Sequence, residues 1–138
     1  MTSACLVSAE AAGDGFDTSS HSATISAGAL GVFHGAKTYL LQDKKGQVME
    51  THSIAVGLSY PGVGPENSWL KSTGRAGHHA VIDFQALGGF RSLAELEGII
   101  PSLEALHTVY QAMQVASAMA SNELLVICIS GNGGKGLS

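Results

Sequence analysis

Glu104 and His107 are three residues apart in a segment rich in apolar side chains, so they share one face of a predicted helix. Glu104 falls in the first helical turn, where the helix dipole favours a carboxylate. Such a group either serves helix-end electrostatics or is held in a pocket to steer a ligand. Gly131-x-Gly133-x-x-Gly136 follows a predicted strand and matches a dinucleotide fingerprint, but no helix-forming stretch follows it to meet a pyrophosphate. The P-loop pattern also fails, because only two residues separate Gly131 from Gly134-Lys135 and Gly136 replaces Ser or Thr. The six histidines include the neighbours His78 and His79, which point to opposite faces of a strand. No His-x3-His or Cys-x2-Cys pair is present, so solvated or structural roles are expected for them. Ser53, Ser59 and Ser130 lack the Gly-x-Ser-x-Gly elbow of a serine hydrolase.

The elements that position these residues follow from periodicity and punctuation. Residues Ala4–Ala9 read as a buried strand, and residues Glu10–Ser20 as a polar loop. The small residues and glycines of His21–Gly35 support only a short helix or turn. Lys37–Gln42 and Gln47–His52 flank Asp43-Lys44-Lys45-Gly46, a hairpin signal. Pro65 can open a helix that Gly74 closes. Gly77–Ile82 reads as a strand, and Asp83 as the N-cap of a helix over Phe84–Glu97 in which Gly88 and Gly89 are unfavourable. Pro101 precedes the strongest helix, Ser102–Ser121, apolar nearly all round and therefore expected to be buried. Glu123–Ile129 reads as a central strand covered on both faces. The order implies an α/β fold with a partial open, mostly parallel sheet flanked by helices.

Composition excludes several classes. The 138 residues suffice for one domain, and 45% are hydrophobic while only 13% are charged, so disorder is not the description. Eighteen glycines, about one residue in eight, imply many tight turns or close backbone approaches. Seven basic residues face eleven acidic ones, with no Lys/Arg run beyond Lys44-Lys45, so nucleic acid is not an expected partner. No apolar run approaches the ~20 residues of a membrane span. Cys5 and Cys128 lie in apolar runs and read as free, buried thiols of a reducing compartment. Without a basic region near Met1, the cytoplasm is the expected location, provided Met1 is the true start.

Longer motifs carry a resemblance. Glu10-Ala11-Ala12-Gly13, His21-Ser22-Ala23-Thr24, Gly31-Val32-Phe33-His34-Gly35, Thr38–Asp43, Thr51-His52-Ser53-Ile54, Tyr60-Pro61-Gly62-Val63-Gly64-Pro65-Glu66, Glu97–Glu104 and Ser130-Gly131-x-Gly133-x-Lys135 resemble, in order, the C-terminal portion of the tryptophan synthase β chain. The match runs from about Leu6 to Lys135. It implies a type II pyridoxal-phosphate fold, with residues 1–138 forming a single incomplete domain. It also implies condensation of L-serine with indole to L-tryptophan, a β-chain homodimer, and an α chain or domain that delivers indole.

Carried over by position, Ser130 and Gly131 match cofactor-binding residues. The Ser130 hydroxyl would meet the pyridine nitrogen of pyridoxal 5'-phosphate, and Glu104 matches a carboxylate that tunes reaction specificity. Phe33 and His34 match the lining of the indole channel. The backbone carbonyls of Tyr60 and Gly62 match ligands of a monovalent cation. Ser59 replaces a family aspartate that helps close the active site. Asn132, Gly134 and Gly136 replace an arginine and two aspartates, and Phe84, Gln85, Gly88 and Gly89 also depart from the family pattern. The family's Schiff-base lysine, catalytic glutamate and phosphate cradle match nothing here, so the expectation is a fragment inactive by itself. The alternative is a catalytically inactive degenerate paralogue acting as a binding or structural protein. A full-length precursor with a transit peptide would place the family's enzyme in a plastid.

Overall fold

The computed structural model describes residues 4–135, with the side chain of Lys135 excluded. Eight regular elements are present among them: β1 (Leu6–Ala11), α1 (Thr24–Ala27), β2 (Ala29–Phe33), β3 (Ala36–Leu40), α2 (Gly64–Ser72), β4 (Ala76–Val81), α3 (Asp83–Glu97) and α4 (Leu103–Ala118). The fold is α/β. Strands β1 and β4 pair in parallel, Leu6 opposite Ala76 through Ala11 opposite Val81, with α3 and α4 packed beside them. This is the partial parallel sheet with flanking helices expected from the strand–helix alternation.

A small core closes this layer. Val81, Ala86 and Leu106 are buried together, with Ala9, Phe90 and Tyr110 packed on them. Gly89 faces α4 so closely that an added Cβ would lie 2.8 Å from the Tyr110 amide nitrogen and 3.1 Å from the Leu106 carbonyl oxygen. The helix-weakening glycine thus permits the α3–α4 crossing. Gly88 has open space around its Cα, and nothing in the structure explains it.

The second sheet differs from expectation. Strand β3 does not pair with Gln47–His52; it pairs antiparallel with β2 instead. His34 (φ 50°) and Gly35 (φ 77°) form the two-residue turn between them, both in the left-handed region that such hairpin turns require. The Asp43–Gly46 turn does form: Asp43 Oδ1 accepts the N–H groups of Lys45 and Gln47, and Gln42 bridges Val48. It closes a bridge rather than a hairpin.

Four further expectations are corrected. Ile82, not Asp83, takes the N-cap position of α3, its N–H donating to Gln85 Oε1 at 3.1 Å, so the Asp83 carboxylate is directed elsewhere. Helix α4 is buried along one stripe only, Ala105, Leu106, His107, Val109 and Ala112, and leaves Leu103 and Met113 exposed. The predicted central strand over Glu123–Ile129 does not form. The segment is extended, with exposure alternating from 94% at Leu124 to 39% at Leu125 and 93% at Val126. Leu125–Cys128 line a cavity of about 340 Å³ with residues of β1 and α4, and among the described residues β1 pairs with β4 alone. A strand without a neighbour at hydrogen-bonding distance keeps its extended backbone but gains no ladder. Cys5 and Cys128, which line the same cavity, are free but exposed, not buried.

Candidate active site

Pro101 and Ser102 lead into α4 and also hold the end of the chain. Pro101 bridges Asn132, the Ser102 N–H donates to the Gly131 carbonyl at 3.1 Å, and the Gly133 N–H donates to the Ile100 carbonyl at 3.0 Å. Gly131 lies directly against the Ser102 side chain, with no room for a Cβ. These pairings set the loop 130–133 beside the first turn of α4. Ser102, Glu104, Ser130, Gly131 and Asn132 together line a cavity of about 550 Å³. The dinucleotide-like glycines are followed by a single 3-10 turn, Gly133–Lys135; Gly136 lies outside the described residues.

Glu104 is half-buried in this cavity. Its Oε1 accepts the Gly57 N–H at 3.2 Å. The carboxyl is held below its ordinary range, first by its own backbone N–H, then by the Gly57 N–H and the Ser102 hydroxyl; burial opposes them. Donors to the ionised form outweigh desolvation, so Glu104 is a fixed carboxylate. His107 on the same helix is fully buried and pushed below its ordinary value, mainly by burial.

The β2–β3 turn builds a second group. The Phe33 and His34 rings stack at 4.1 Å, Phe33 lies 5.6 Å from the Tyr60 ring, and Tyr60 Oη is 2.8 Å from His34 Nδ1. Tyr60 and Gly62 flank Pro61, whose carbonyl accepts the Leu41 N–H at 2.9 Å, and Gly62 bridges Leu40. Tyr60, Gly62 and Gly57 line a cavity of about 390 Å³ with Glu10 and Ile25. Gly57 therefore connects the loop of Tyr60 and Gly62 to Glu104. Phe33 and His34 join Tyr60 but line neither cavity, so the site residues fall into two groups linked through Gly57. Ser59 donates to the Ser53 carbonyl at 3.5 Å, a contact within its own loop.

A third cluster is absent from the sequence reading. Asp14, His52 and Asp83 bring their side-chain ligand atoms within 4.8 Å of one another. Asp83 also accepts the Ile54 N–H at 2.8 Å and lies 3.6 Å from His107 Nε2. No local spacing announces it, because its members come from three separate segments. The nearest signal in the sequence is Thr51-His52-Ser53-Ile54, which carries one of the three ligands. Among the described residues no helix is long and apolar enough to cross a membrane.

No family model matches the chain. Individual proteins do. The chain is 58% identical over 134 residues to "Tryptophan synthase" of Saccharomyces cerevisiae, covering 97% of this chain and 19% of that protein. It is 49% identical over 133 residues to "Tryptophan synthase beta chain" of Nitrosomonas europaea, covering 96% and 34%. It is 52% identical over 130 residues to the protein of that name from Methylibium petroleiphilum, covering 94% and 32%. The chain thus spans about a fifth to a third of the length of the curated relatives it matches. Over nearly all of its own length, and at a level of identity far above chance, it is similar to a C-terminal part of the tryptophan synthase β chains.

Proposed function

We propose that this chain is a C-terminal piece of a pyridoxal-phosphate-dependent tryptophan synthase β chain, whose whole enzyme condenses L-serine with indole to form L-tryptophan. The single cavity shared by Glu104, Ser130 and Gly131, in a chain 45–58% identical to such proteins, carries the reading. These residues fit the pyridine end of the cofactor: a neutral hydroxyl at Ser130 and an ionised carboxylate at Glu104. No lysine lines that cavity. When bound, pyridoxal phosphate supplies an electron sink for carbanion chemistry at the amino acid's α-carbon.

The chain's own residues then divide the work. The Ser130 hydroxyl would hold the ring nitrogen as a neutral donor, which would temper the sink that a carboxylate there would strengthen. Glu104, anchored by the Gly57 N–H, holds negative charge beside the cofactor and steers the reaction outcome. Phe33 and His34 present a stacked aromatic surface suited to a planar apolar substrate such as indole. The backbone carbonyls of Tyr60 and Gly62 serve a monovalent cation, which accepts carbonyl oxygens. An α chain or α domain delivers indole, and a second β chain completes the dimer. The two free cysteines fit a cytoplasmic setting.

The 138 residues by themselves hold no match to the family's lysine or phosphate cradle, and the isolated chain does not turn over serine and indole. The experiment joins this chain to the upstream portion of the yeast relative and compares Glu104→Gln with the unaltered hybrid. Loss of kcat at unchanged cofactor binding supports the role of Glu104; equal kcat contradicts it.

A further inference from the structure

Asp14, His52 and Asp83 converge from the loop after β1, the segment before the 3-10 turn Val56–Leu58, and the first residue of α3. We propose that these three side chains form a binding site for one divalent transition-metal ion of the zinc type. This inference is independent of the pyridoxal-phosphate reading.

The donors suit such an ion. One imidazole nitrogen and two carboxylate oxygens are ordinary zinc ligands at about 2.0–2.2 Å, which sets tetrahedral ligand atoms roughly 3.3–3.6 Å apart. His52 Nε2 lies 3.7 Å from Asp14 Oδ2 and 3.8 Å from Asp83 Oδ2. Both contacts are within a few tenths of an ångström of that spacing, and all three ligand atoms lie within 4.8 Å of one another. Two carboxylates held this close repel, and a divalent cation between them offsets that repulsion.

The ligands are also held from behind, as metal ligands commonly are. Ser20 Oγ donates to Asp14 Oδ2 at 2.9 Å, and the Ile54 N–H donates to Asp83 Oδ2 at 2.8 Å. The backbone fixes their relative positions: the Asp83 N–H donates to the Gly13 carbonyl at 2.9 Å, and the Asp14 N–H to the Ser20 carbonyl at 2.9 Å. Gly13 (φ 49°) packs against the Ser20 and His52 carbonyls, and a Cβ would come 2.8 Å from the latter. Asp14 and His52 are more than half exposed, which leaves an entry path and open coordination positions.

His107 supplies the independent observation. Its side chain is 1% exposed, neither ring nitrogen has a hydrogen-bond partner, and Nε2 faces Asp83 Oδ1 at 3.6 Å. An orphaned buried imidazole is costly and needs a reason. A metal on Oδ2 of Asp83 leaves Oδ1 to accept the His107 N–H, which turns the orphan into the outer partner of a ligand.

The test titrates Zn²⁺ calorimetrically, and Co²⁺ by its visible absorption, into the complete 138-residue chain. Asp14→Asn, His52→Gln and, as a control, the exposed His79→Gln are compared, with circular dichroism checking each fold. One ion per chain, bound about tenfold or more weaker by Asp14→Asn and His52→Gln but unchanged by His79→Gln, is the expected result. Equal binding by all four chains, or no saturable binding, overturns the proposal. Histidine NMR on the unsubstituted chain guards against misfolded variants: Zn²⁺ should shift the His52 and His107 ring signals together. Shifts confined to other histidines would contradict the site.

Discussion

Glu104 Oε1 accepts the Gly57 N–H at 3.2 Å across 47 residues of sequence, and the same glycine leaves no space between its Cα and that carboxylate. A Cβ at Gly57 would lie 2.8 Å from Oε1 and 3.1 Å from Cγ. The obstacle is the end of a flexible side chain, so Gly57→Ala should displace the carboxylate while costing less than about 1 kcal/mol of stability. Thermal unfolding of the variant should be nearly unchanged, while NMR of a labelled Glu104 carboxyl should show its titration moving upward. A midpoint drop as large as that of a core truncation would contradict this.

Gly13 behaves differently, because its neighbours are backbone. The Ser20 and His52 carbonyls and the positive φ of 49° leave a side chain nowhere to go. Gly13→Ala should cost about 3 kcal/mol or more. Gly46 also has positive φ (78°) but nothing within 4 Å, so Gly46→Ala should cost only about 1–2 kcal/mol. Urea unfolding of the two variants should rank them in that order.

The Glu104 carboxyl also makes stability depend on acid. Its folded value lies below the ordinary 4.5 because its own N–H, Gly57 and Ser102 donate to the ionised form. The unfolded chain therefore binds the proton first as pH falls. The stabilising contribution is complete above about 4.5 and is lost as pH drops through the lower folded value. Partial exposure keeps it small. Urea midpoints measured across this window should fall less steeply for Glu104→Gln than for the unsubstituted chain.

Apolar exposure predicts association. Leu124, Val126, Phe84, Leu96 and Val56 are each 79% exposed or more, far more apolar surface than a monomer usually shows. The segment 123–130 also leaves backbone groups without a ladder. Sedimentation of the isolated chain should show oligomers, and Leu124→Lys with Val126→Lys should shift the distribution toward monomer. A monodisperse monomer before substitution would contradict this.

The sequence makes β1 and β4 legible as strands because turn residues bound them, and the α4 start because Pro101 precedes it, but not that β1 and β4 pair with each other. It misplaced Asp83 because an aspartate before a helix resembles a cap, whereas Gln85 takes that role and frees the carboxylate for Ile54. It overstated Leu124–Ile129 because composition reports affinity for a sheet, not whether a neighbouring strand stands at hydrogen-bonding distance. Glu104, Ser130 and Gly131 line one cavity through the Pro101–Asn132 bridge, which no spacing encodes. The convergence of Asp14, His52 and Asp83 was invisible for the same reason.

The most direct measurement is turnover of L-serine and indole by two purified proteins: the 138-residue chain alone, and the same chain joined to the upstream portion of the yeast relative, each supplied with pyridoxal phosphate. The account predicts no tryptophan above a protein-free control from the first and sustained tryptophan formation from the second. Tryptophan made by the isolated chain, or a folded, cofactor-loaded hybrid that makes none, would contradict it.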